Sequence, residues 1–354
     1  MTNGSIGSIL ERSTRGLAAY AAEDLIARLD SPQAQAEDAF TWWHAFFEGR
    51  FKDLAAAVDA DQPRLFVSQM RWCRAAMKAR QVDNGHIRQA IDAMRDVVVA
   101  QTGQAGESVA AEFIDAALRD CDTNVDLPDS WLNVGTPHGR LAAEFVLCVL
   151  EGRRRDAAQV LLKAVDDGLA VKDAYLNVII PAVREIGRMW HIGEVTVAEE
   201  HFASDTAQMV IAQLQSRATV APPIGRTMLA ASVAGNRHDL GTRILANLFE
   251  IEGWRVVCLG GDVPGSDVAQ AVIDFEADLL LLSATLHTQL RAVERTIHLV
   301  RQRADERPVR VIAGGLAFDE APDLSRRFGA DGYALTADEA LDLGRQWFDP
   351  ERSD

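Results

Sequence analysis

The chain has 354 residues, of which 48% are hydrophobic, and a formal net charge of −16. Its length allows two or three separately cored domains. The negative charge repels a polyphosphate backbone, and no basic stripe reverses it locally, so we expect no direct nucleic-acid binding. No apolar run approaches the roughly 20 residues that span a bilayer, and Met1–Thr14 lacks a signal-peptide pattern, which predicts a cytoplasmic protein without a membrane segment.

The four cysteines are spread singly along the chain, at Cys73, Cys121, Cys148 and Cys258. They form no C-x-x-C pair and no dense framework, so disulfide scaffolds and thiolate zinc sites are disfavoured. The sequence therefore predicts four buried cysteines that act as apolar filler.

The N-terminal part, from about Ile9 to Cys121, is predicted to be helical. Apolar residues recur at helical spacing in Ala39–Phe51 and Leu65–Ala79, and Gly and Pro fall between the periodic stretches. The segment Asp122–Gly139 is rich in Asp, Asn, Pro and Gly and has no sustained period, which predicts a linker. We therefore place an N-terminal helical domain at residues 1–125.

Four more helices are predicted next: Leu141–Glu151, Arg155–Val165, Lys172–His191 and Thr196–Arg217. Short breaks join them, so neighbours must be antiparallel, and a four-helix bundle at residues 139–220 follows. Gly193 supplies the left-handed conformation that ends the third helix, and Thr196 with Glu199 forms a capping box that begins the fourth.

After Pro222-Pro223 the pattern changes to alternating strands and helices. The predicted strands are near-continuous apolar runs, as in parallel strands buried on both faces: Thr227–Ala234, Arg255–Leu259, Leu279–Leu282, Val309–Ala313 and Gly332–Ala334. Five such units predict a doubly wound, five-stranded parallel sheet at residues 225–348. Ligands of such sheets bind at the carboxyl ends of the strands, so the loops there are the candidate site.

Three of these loops carry candidate binding residues. The first strand is followed by Gly235–Gly241 (GNRHDLG), where G-x-G-x-x-G is absent and His238 occupies the turn. A loop imidazole there is a metal ligand, a base or an ordinary surface histidine. The small, hydroxylic run Ser283–Leu286 follows the third strand. Gly314-Gly315 follows the fourth and leaves room for a bulky ligand against backbone. The loops predict a slot, headed by His238, for a long ligand tail.

The motifs N-x-H-x-x-G, S-x-T-L and G-G, in this order, resemble the D-x-H-x-x-G, S-x-L and G-G of the cobalamin-binding domain. The resemblance spans about Gly139–Leu343, since a four-helix cap also precedes this domain in cobalamin-dependent methionine synthases. It implies that His238 is the lower cobalt ligand and that the displaced nucleotide tail fills the slot. The candidate cofactor contacts in these loops are Asn236, Arg237, His238, Asp239, Gly241, Ser283, Thr285, Leu286, Gly314 and Gly315.

Two departures from the family motif carry physical content. Leu286 lies one place late, so that Thr285 is the candidate for the contact at that wall. Asn236 replaces the acidic partner, and a neutral amide is poor at accepting a proton from a ligating imidazole, which counts modestly against methyl transfer. Asn236 either orients His238 or is simply a good turn residue.

A second group of candidates lies in the predicted bundle, where Trp190-His191 is followed after eight residues by Glu200-His201. The turn at Gly193 brings them to one end of the bundle, as a lid over a planar cofactor. The alternative is that Trp190 is a core residue and the histidines are helix-end residues.

This W-x9-E-H pattern, with a histidine directly after the tryptophan, resembles the cap of the CarH-type cobalamin photoreceptors. There the tryptophan and the glutamate enclose the adenosyl group, and light breaks the cobalt–carbon bond. The resemblance implies that Trp190 and Glu200 cover this group. It further implies that His191, or alternatively His201, becomes the upper ligand after light.

The N-terminal part differs from that family, whose members carry a basic winged-helix DNA-binding domain. The aromatic runs Trp42–Phe47 and Met70–Cys73 predict a bundle core, with a second pocket or a dimer interface as alternatives. The layout resembles the photocobilins, which combine the cobalamin module with a bilin. This resemblance implies biliverdin as a candidate second chromophore, and Cys73 is the only thiol near these aromatics.

The sequence thus predicts a non-enzymatic, adenosylcobalamin-dependent light sensor. Photolysis would shift the cap, and the N-terminal helices, a homo-oligomer (dimer) or a downstream signalling protein would respond. A different class remains as the alternative, a corrinoid carrier protein of a cobalamin-dependent methyltransferase. A cobalamin storage or structural protein is a third.

Overall fold

A computed structural model describes residues 3–29, 37–303 and 308–348, and within these the side chains of all but residues 3–5 and 102–108. In this part of the chain no helix is both long and apolar enough to cross a membrane. The chain divides into two compact units. Unit 1 contains the N-terminal helices with the short segments Ala284–Glu294 and Leu316–Arg327, and unit 2 contains the remainder from Pro128 onward.

The described part of unit 1 is helical, as predicted. Its long helices are α1 (Asn3–Arg28), α2 (Ala39–Ala60), α3 (Pro63–Ala79) and α4 (Asn84–Asp120). The helices bury apolar side chains against one another, among them Leu10, Leu25, Phe47, Phe51, Phe66 and Ile91. This burial is the main source of stability for a helical bundle.

The aromatic run on α2 lies on more than one face of the helix. Trp43 and Phe47 are four residues apart, share a face and are buried at 4% and 0% exposure. Trp42 is 49% exposed, and its ring stacks on that of Phe46 with a centroid distance of 6.0 Å. Trp72 of α3 is also exposed. The predicted aromatic core is therefore correct for one face of α2 and wrong for Trp42 and Trp72.

The helical part of unit 2 follows the predicted bundle closely. Its elements are α5 (Pro137–Leu150), α6 (Arg154–Asp166), α7 (Val171–Asp173), a π-helical segment (Ala174–Ile179), α8 (Ile180–His191) and α9 (Val197–Gln215). The predicted linker ends early, because Pro137 begins α5 and the Thr136 side chain caps it by accepting from the Gly139 amide. Gly193 has a φ of 81°, and the capping box between Thr196 and Glu199 is present.

The rest of unit 2 is a five-stranded parallel sheet, as predicted. The strands are β1 (Thr227–Val233), β2 (Arg255–Val263), β3 (Leu279–Ser283), β4 (Arg310–Gly314) and β5 (Gly332–Ala334), in the spatial order β2-β1-β3-β4-β5. The helices between and after the strands are α10 (Leu240–Ile251), α11 (Gly265–Asp274), α12 (Leu290–Arg303), α13 (Asp323–Arg327) and α14 (Ala337–Phe348). Of these, α13 and the first residues of α12 belong to unit 1.

Strand position explains one error of the sequence analysis. β1 lies inside the sheet and is buried along its whole length, whereas β2 is an edge strand with mostly exposed or half-buried residues. The expectation of burial on both faces is therefore wrong for β2. Cys258 lies on this strand and is exposed, so the prediction of four buried cysteines holds only for Cys73, Cys121 and Cys148.

Tyr175, in the π-helical segment, connects the bundle to the sheet domain within unit 2. The side chain is fully buried, and its hydroxyl donates to the Ile211 carbonyl (3.0 Å) and accepts from the Asn247 amide (3.2 Å). Burial raises the pKa of Tyr175 to about 12, so the phenol stays protonated as a donor.

We predict that Tyr175→Phe destabilises the protein by about 1–2 kcal/mol, because the buried Ile211 carbonyl and Asn247 amide each lose a partner. Chemical unfolding followed by circular dichroism measures the change. Tyr20→Phe is the matched control, because Tyr20 is 58% exposed and should unfold like the unchanged protein. Equal stability of Tyr175→Phe and the control would contradict the assigned role.

Candidate functional site

The strand order creates a crevice between β1 and β3. The chain runs from β1 to β2 on one side and then crosses to β3 on the other, so the connections diverge at the carboxyl ends of β1 and β3. Ser232 of β1 pairs with Ser283 of β3 at this edge. The loop that carries His238 leaves β1 at this position.

Asn236 fixes the orientation of His238. The Asn236 Nδ2 donates to the Ser283 carbonyl at 3.1 Å, which leaves Oδ1 to face the His238 backbone N–H (3.2 Å) and ring Nδ1 (3.3 Å). A carbonyl can only accept, so the Ser283 partner assigns the two ends of the amide. Oδ1 must then accept from Nδ1–H, and the lone pair of the imidazole lies on Nε2. Asn236 is fully buried and His238 is exposed, so the amide orients an imidazole that can bind a metal.

A second support for this loop comes from the end of β2, which the sequence analysis missed. The Asp262 carboxylate accepts from the Gly235 amide at 2.7 Å, and the Asp262 amide donates to the Asn236 carbonyl at 2.8 Å. A side chain at Gly261 would meet that carbonyl at 3.1 Å. Asp262 itself has a φ of 55°, a conformation that Asp tolerates better than most residues. The run Gly260-Gly261-Asp262 was the available sequence signal.

A third connection joins the His238 loop to the bundle. Asp239 is buried, and its carboxylate accepts from Gln208 of α9 at 3.1 Å and from the Arg243 Nε at 2.8 Å. Asp239 was predicted as a site residue, but its two partners were not. Gln208 lies 31 positions away in the chain, so no local pattern indicates its bond to Asp239. Arg237 is exposed beside this network, and Gly241 lies in the first turn of α10. The loop is therefore held by β2, β3 and α9 together.

The residues after β3 and β4 have different surroundings. A side chain at Gly314 would meet the Ala334 carbonyl of β5 at 2.2 Å. The packing of β4 against β5 therefore requires glycine at this position, whether or not a ligand binds there. Gly315 has a φ of 96°. Thr285 and Leu286 belong to unit 1, where their backbone amides donate to the buried Gln289 side chain at 2.8 and 3.0 Å. Ser283 contributes its backbone carbonyl to Asn236, an interaction that its side chain does not predict.

The bundle residues lie at the turn between α8 and α9. Trp190 and His191 end α8, where Trp190 is half-buried and His191 is 7% exposed. Glu200 lies in the first turns of α9, and its two carboxylate oxygens contact the His201 Nδ1 (2.6 Å) and the Ser204 hydroxyl (2.7 Å). The His201 side chain is 74% exposed. The two histidines thus differ in burial, which the sequence pattern did not indicate.

The donor set fits a corrinoid. Among the described residues no group of three or more His, Cys, Asp or Glu could hold a metal ion unaided. A cobalt ion in a corrin ring already has four nitrogen ligands and requires only an axial donor from a protein. His238 presents one oriented nitrogen at the crevice, with a buried second partner behind it.

Comparison with known proteins gives two matches along the chain. Residues 141–215 and 226–342 each match a B12 binding domain. These stretches lie within the predicted cap (139–220) and the predicted sheet domain (225–348). The borders of both domains, and that of the N-terminal domain (1–125), stay predictions. The matches make the chain a cobalamin-binding-domain protein.

The chain is similar to proteins of two kinds. It is 24% identical to a corrinoid protein of Desulfitobacterium hafniense over 58% of this chain and 96% of that protein. It is 31% identical to the HTH-type transcriptional repressor CarH of Myxococcus xanthus, over 51% of this chain and 60% of the repressor. The monomethylamine corrinoid protein of Methanosarcina barkeri has a similar fold, with a TM-score of 0.51, 15% identity, and coverage of 59% of this chain and 98% of that one.

We predict that Gly314→Ala destabilises the protein by about 1–3 kcal/mol in the absence of any ligand, because the added methyl overlaps the Ala334 carbonyl. Thermal unfolding without cofactor measures the change. Gly187→Ala is the control, because its methyl meets nothing within 4 Å and it lies in a helix, where alanine is favoured. An unchanged melting temperature for Gly314→Ala would show that β4 and β5 do not require the glycine.

Proposed function

We propose, from the premise that this chain carries a cobalamin-binding domain, that it is a non-enzymatic light sensor that uses adenosylcobalamin. The bound cofactor supplies a cobalt–carbon bond that light breaks. The observation that carries the proposal is the turn between α8 and α9. Trp190 and the buried His191 end α8 before this turn, and the hydrogen-bonded Glu200 lies in the first turns of α9 after it.

On the lower side, His238 binds the cobalt through Nε2. Its orientation is supported by the Asn236 amide, which accepts from Nδ1–H and is itself held by Ser283. The Asn236 amide is neutral, so it would orient the ring without the charge of the carboxylate that the family motif has at this position. Arg237 and Asp239 belong to the His238 loop and Gly241 to the first turn of α10. Within unit 2, Ser283, Gly314 and Gly315 would border the slot for the nucleotide tail.

On the upper side, Trp190 and Glu200 cover the adenosyl group. The Glu200 carboxylate is held by Ser204 and His201, so it is positioned before the ligand binds. His191 is buried beside Trp190 and is the candidate for the upper ligand after the adenosyl group leaves. His201 is the second candidate, and its exposed ring would have to turn away from Glu200.

The N-terminal helices are the proposed output of the sensor. A change of upper ligand alters the protein only if the two states of the cap make different contacts. We expect the chain to act in the cytoplasm as a homodimer or through a downstream signalling protein, without direct nucleic-acid binding, given the net charge of −16.

Biliverdin remains the proposed second chromophore of the N-terminal helices. The stacked pair Trp42 and Phe46 offers exposed aromatic surface for a planar tetrapyrrole. Burial raises the pKa of Cys73 to about 11, so the thiol is protonated and poorly reactive. A bilin would therefore bind without a thioether bond to Cys73.

A second function, that of a corrinoid carrier in methyl transfer, is favoured by the similarity to the corrinoid proteins of Desulfitobacterium hafniense and Methanosarcina barkeri. Under that reading methylcobalamin binds and a separate methyltransferase supplies the substrate. Trp190 then has little role over the upper face, and substitution of Trp190 should leave methyl transfer unaffected.

Illumination of the protein loaded with adenosylcobalamin in the dark tests the proposal. We expect a stable change in the visible spectrum, because His191 would be available as a donor to the cobalt once the adenosyl group has left. Added biliverdin should contribute a separate red band. Tight binding of cobalamin with only the photochemistry of the free cofactor would instead favour the carrier.

The histidine variants assign the upper ligand. We predict that His191→Ala binds adenosylcobalamin in the dark like the unchanged protein but fails to form the stable light product. His201→Ala is the matched control and should form the product, because its ring is exposed. Absorption spectra before and after light compare the two. A normal product from His191→Ala with a lost product from His201→Ala would reverse the assignment.

A further inference from the structure

Glu185 is a buried carboxylate in the middle of α8 that the proposed site does not use. Its side chain is only 5% exposed. One oxygen, Oε2, accepts from the Ser130 hydroxyl (3.0 Å) and from the Trp131 backbone amide (2.8 Å). The other, Oε1, accepts from the Arg188 Nε (3.0 Å) and Nη2 (2.7 Å). The carboxylate therefore joins the linker segment, residues 128–136, to the helix that ends in Trp190 and His191.

Arg188 extends this network to the last turn of α8. Its guanidinium also reaches the Glu194 carboxylate at 3.3 Å, and the Glu194 amide donates to the Met189 carbonyl at 2.7 Å. Arg188 is three residues before His191 and so lies on the same turn of the helix. A shift of that turn therefore displaces the guanidinium that holds Glu185.

The linker segment has a second attachment to the same helix. The guanidinium of Arg184 lies over the Trp131 ring, 4.8 Å from its centroid. The Trp131 side chain is otherwise 52% exposed, so this contact does not bury it in a core. The linker segment is thus attached to α8 at two consecutive residues, Arg184 and Glu185.

The contacts of the buried Glu185 carboxylate depend on one another. A buried carboxylate is tolerated only while its partners satisfy it, and removal of one partner exposes the full cost of desolvation. Burial alone would raise the pKa of Glu185, but the hydrogen bonds from Arg188, Trp131 and Ser130 outweigh it and lower the pKa. Loss of Arg188 would therefore weaken the attachment of Ser130 and Trp131 as well.

We infer that Glu185 is a positioning residue that couples the upper-ligand end of α8 to the linker segment. This inference rests on the proposed function. When His191 is drawn toward the cobalt, the last turn of α8 moves, Arg188 withdraws from Glu185, and the linker segment is released. Along the chain, residues 121–127 connect the linker segment to α4, the last of the N-terminal helices.

Amide hydrogen exchange of residues 128–136 in the full chain tests the attachment without any cofactor. Glu185→Leu removes the acceptors at similar volume, and we expect the Trp131 amide to exchange on the order of tenfold faster, as the loss of one hydrogen bond to a charged group implies. Ser130→Ala, which removes a single donor, should give a smaller increase and covers the case in which Glu185→Leu fails to fold. Glu144→Gln, at an exposed position of α5, is the control and should leave exchange unchanged.

The release is tested by the same measurement on loaded protein. We expect faster exchange in residues 128–136 after illumination of the adenosylcobalamin form, and also on loading with hydroxocobalamin, whose exchangeable upper ligand admits a histidine without light. Unchanged exchange in Glu185→Leu, or a light-induced spectral change without faster linker exchange, would overturn the inference. Absence of any light-induced spectral change would contradict the light-sensor proposal only. The experiment with hydroxocobalamin needs no light and would still test whether Glu185 couples α8 to the linker segment.

Discussion

The hydrogen bond from the Asn236 amide to the Ser283 carbonyl is the contact on which the site depends. It crosses from β1 to β3 at the point where the strand connections diverge, and it decides which end of the amide faces His238. The orientation and tautomer of the imidazole follow from that choice. Asp262, at the end of β2, holds the backbone of the same turn, so residues at the ends of three adjacent strands position the His238 ring.

Several polar contacts join the bundle and the sheet domain, and two of them differ in kind. The Tyr175 hydroxyl connects the buried faces of both parts, and Gln208 donates to the Asp239 carboxylate beside His238, the proposed cobalt ligand. A helix of the bundle, α9, is therefore hydrogen-bonded to the loop that carries His238. A carrier that exchanges its upper face with partner enzymes would need this connection to open readily, whereas a sensor needs two defined states.

The elements that have local signals in the sequence could be predicted from the sequence alone. Gly193 and the Thr196–Glu199 capping box fixed the turn between α8 and α9, and apolar runs located all five strands. Contacts between distant residues carried no such signal. Neither the Asp262 support of Gly235 nor the bond of Gln208 to Asp239 could be predicted, because each requires the three-dimensional packing of separate elements. The same applies to Gly314, where the Ala334 backbone of a neighbouring strand leaves no space for a side chain.

The claim that His238 replaces the cofactor's own base as the lower ligand has a direct spectroscopic test. Protein labelled with 15N-histidine and loaded with unlabelled cobalamin in the cobalt(II) state should show a two-line nitrogen splitting in its electron paramagnetic resonance spectrum. The splitting should disappear in His238→Ala. A three-line splitting from unlabelled nitrogen in the unchanged protein would mean that the cofactor's base remains on the cobalt, and it would contradict the account of the site built on Asn236 and His238.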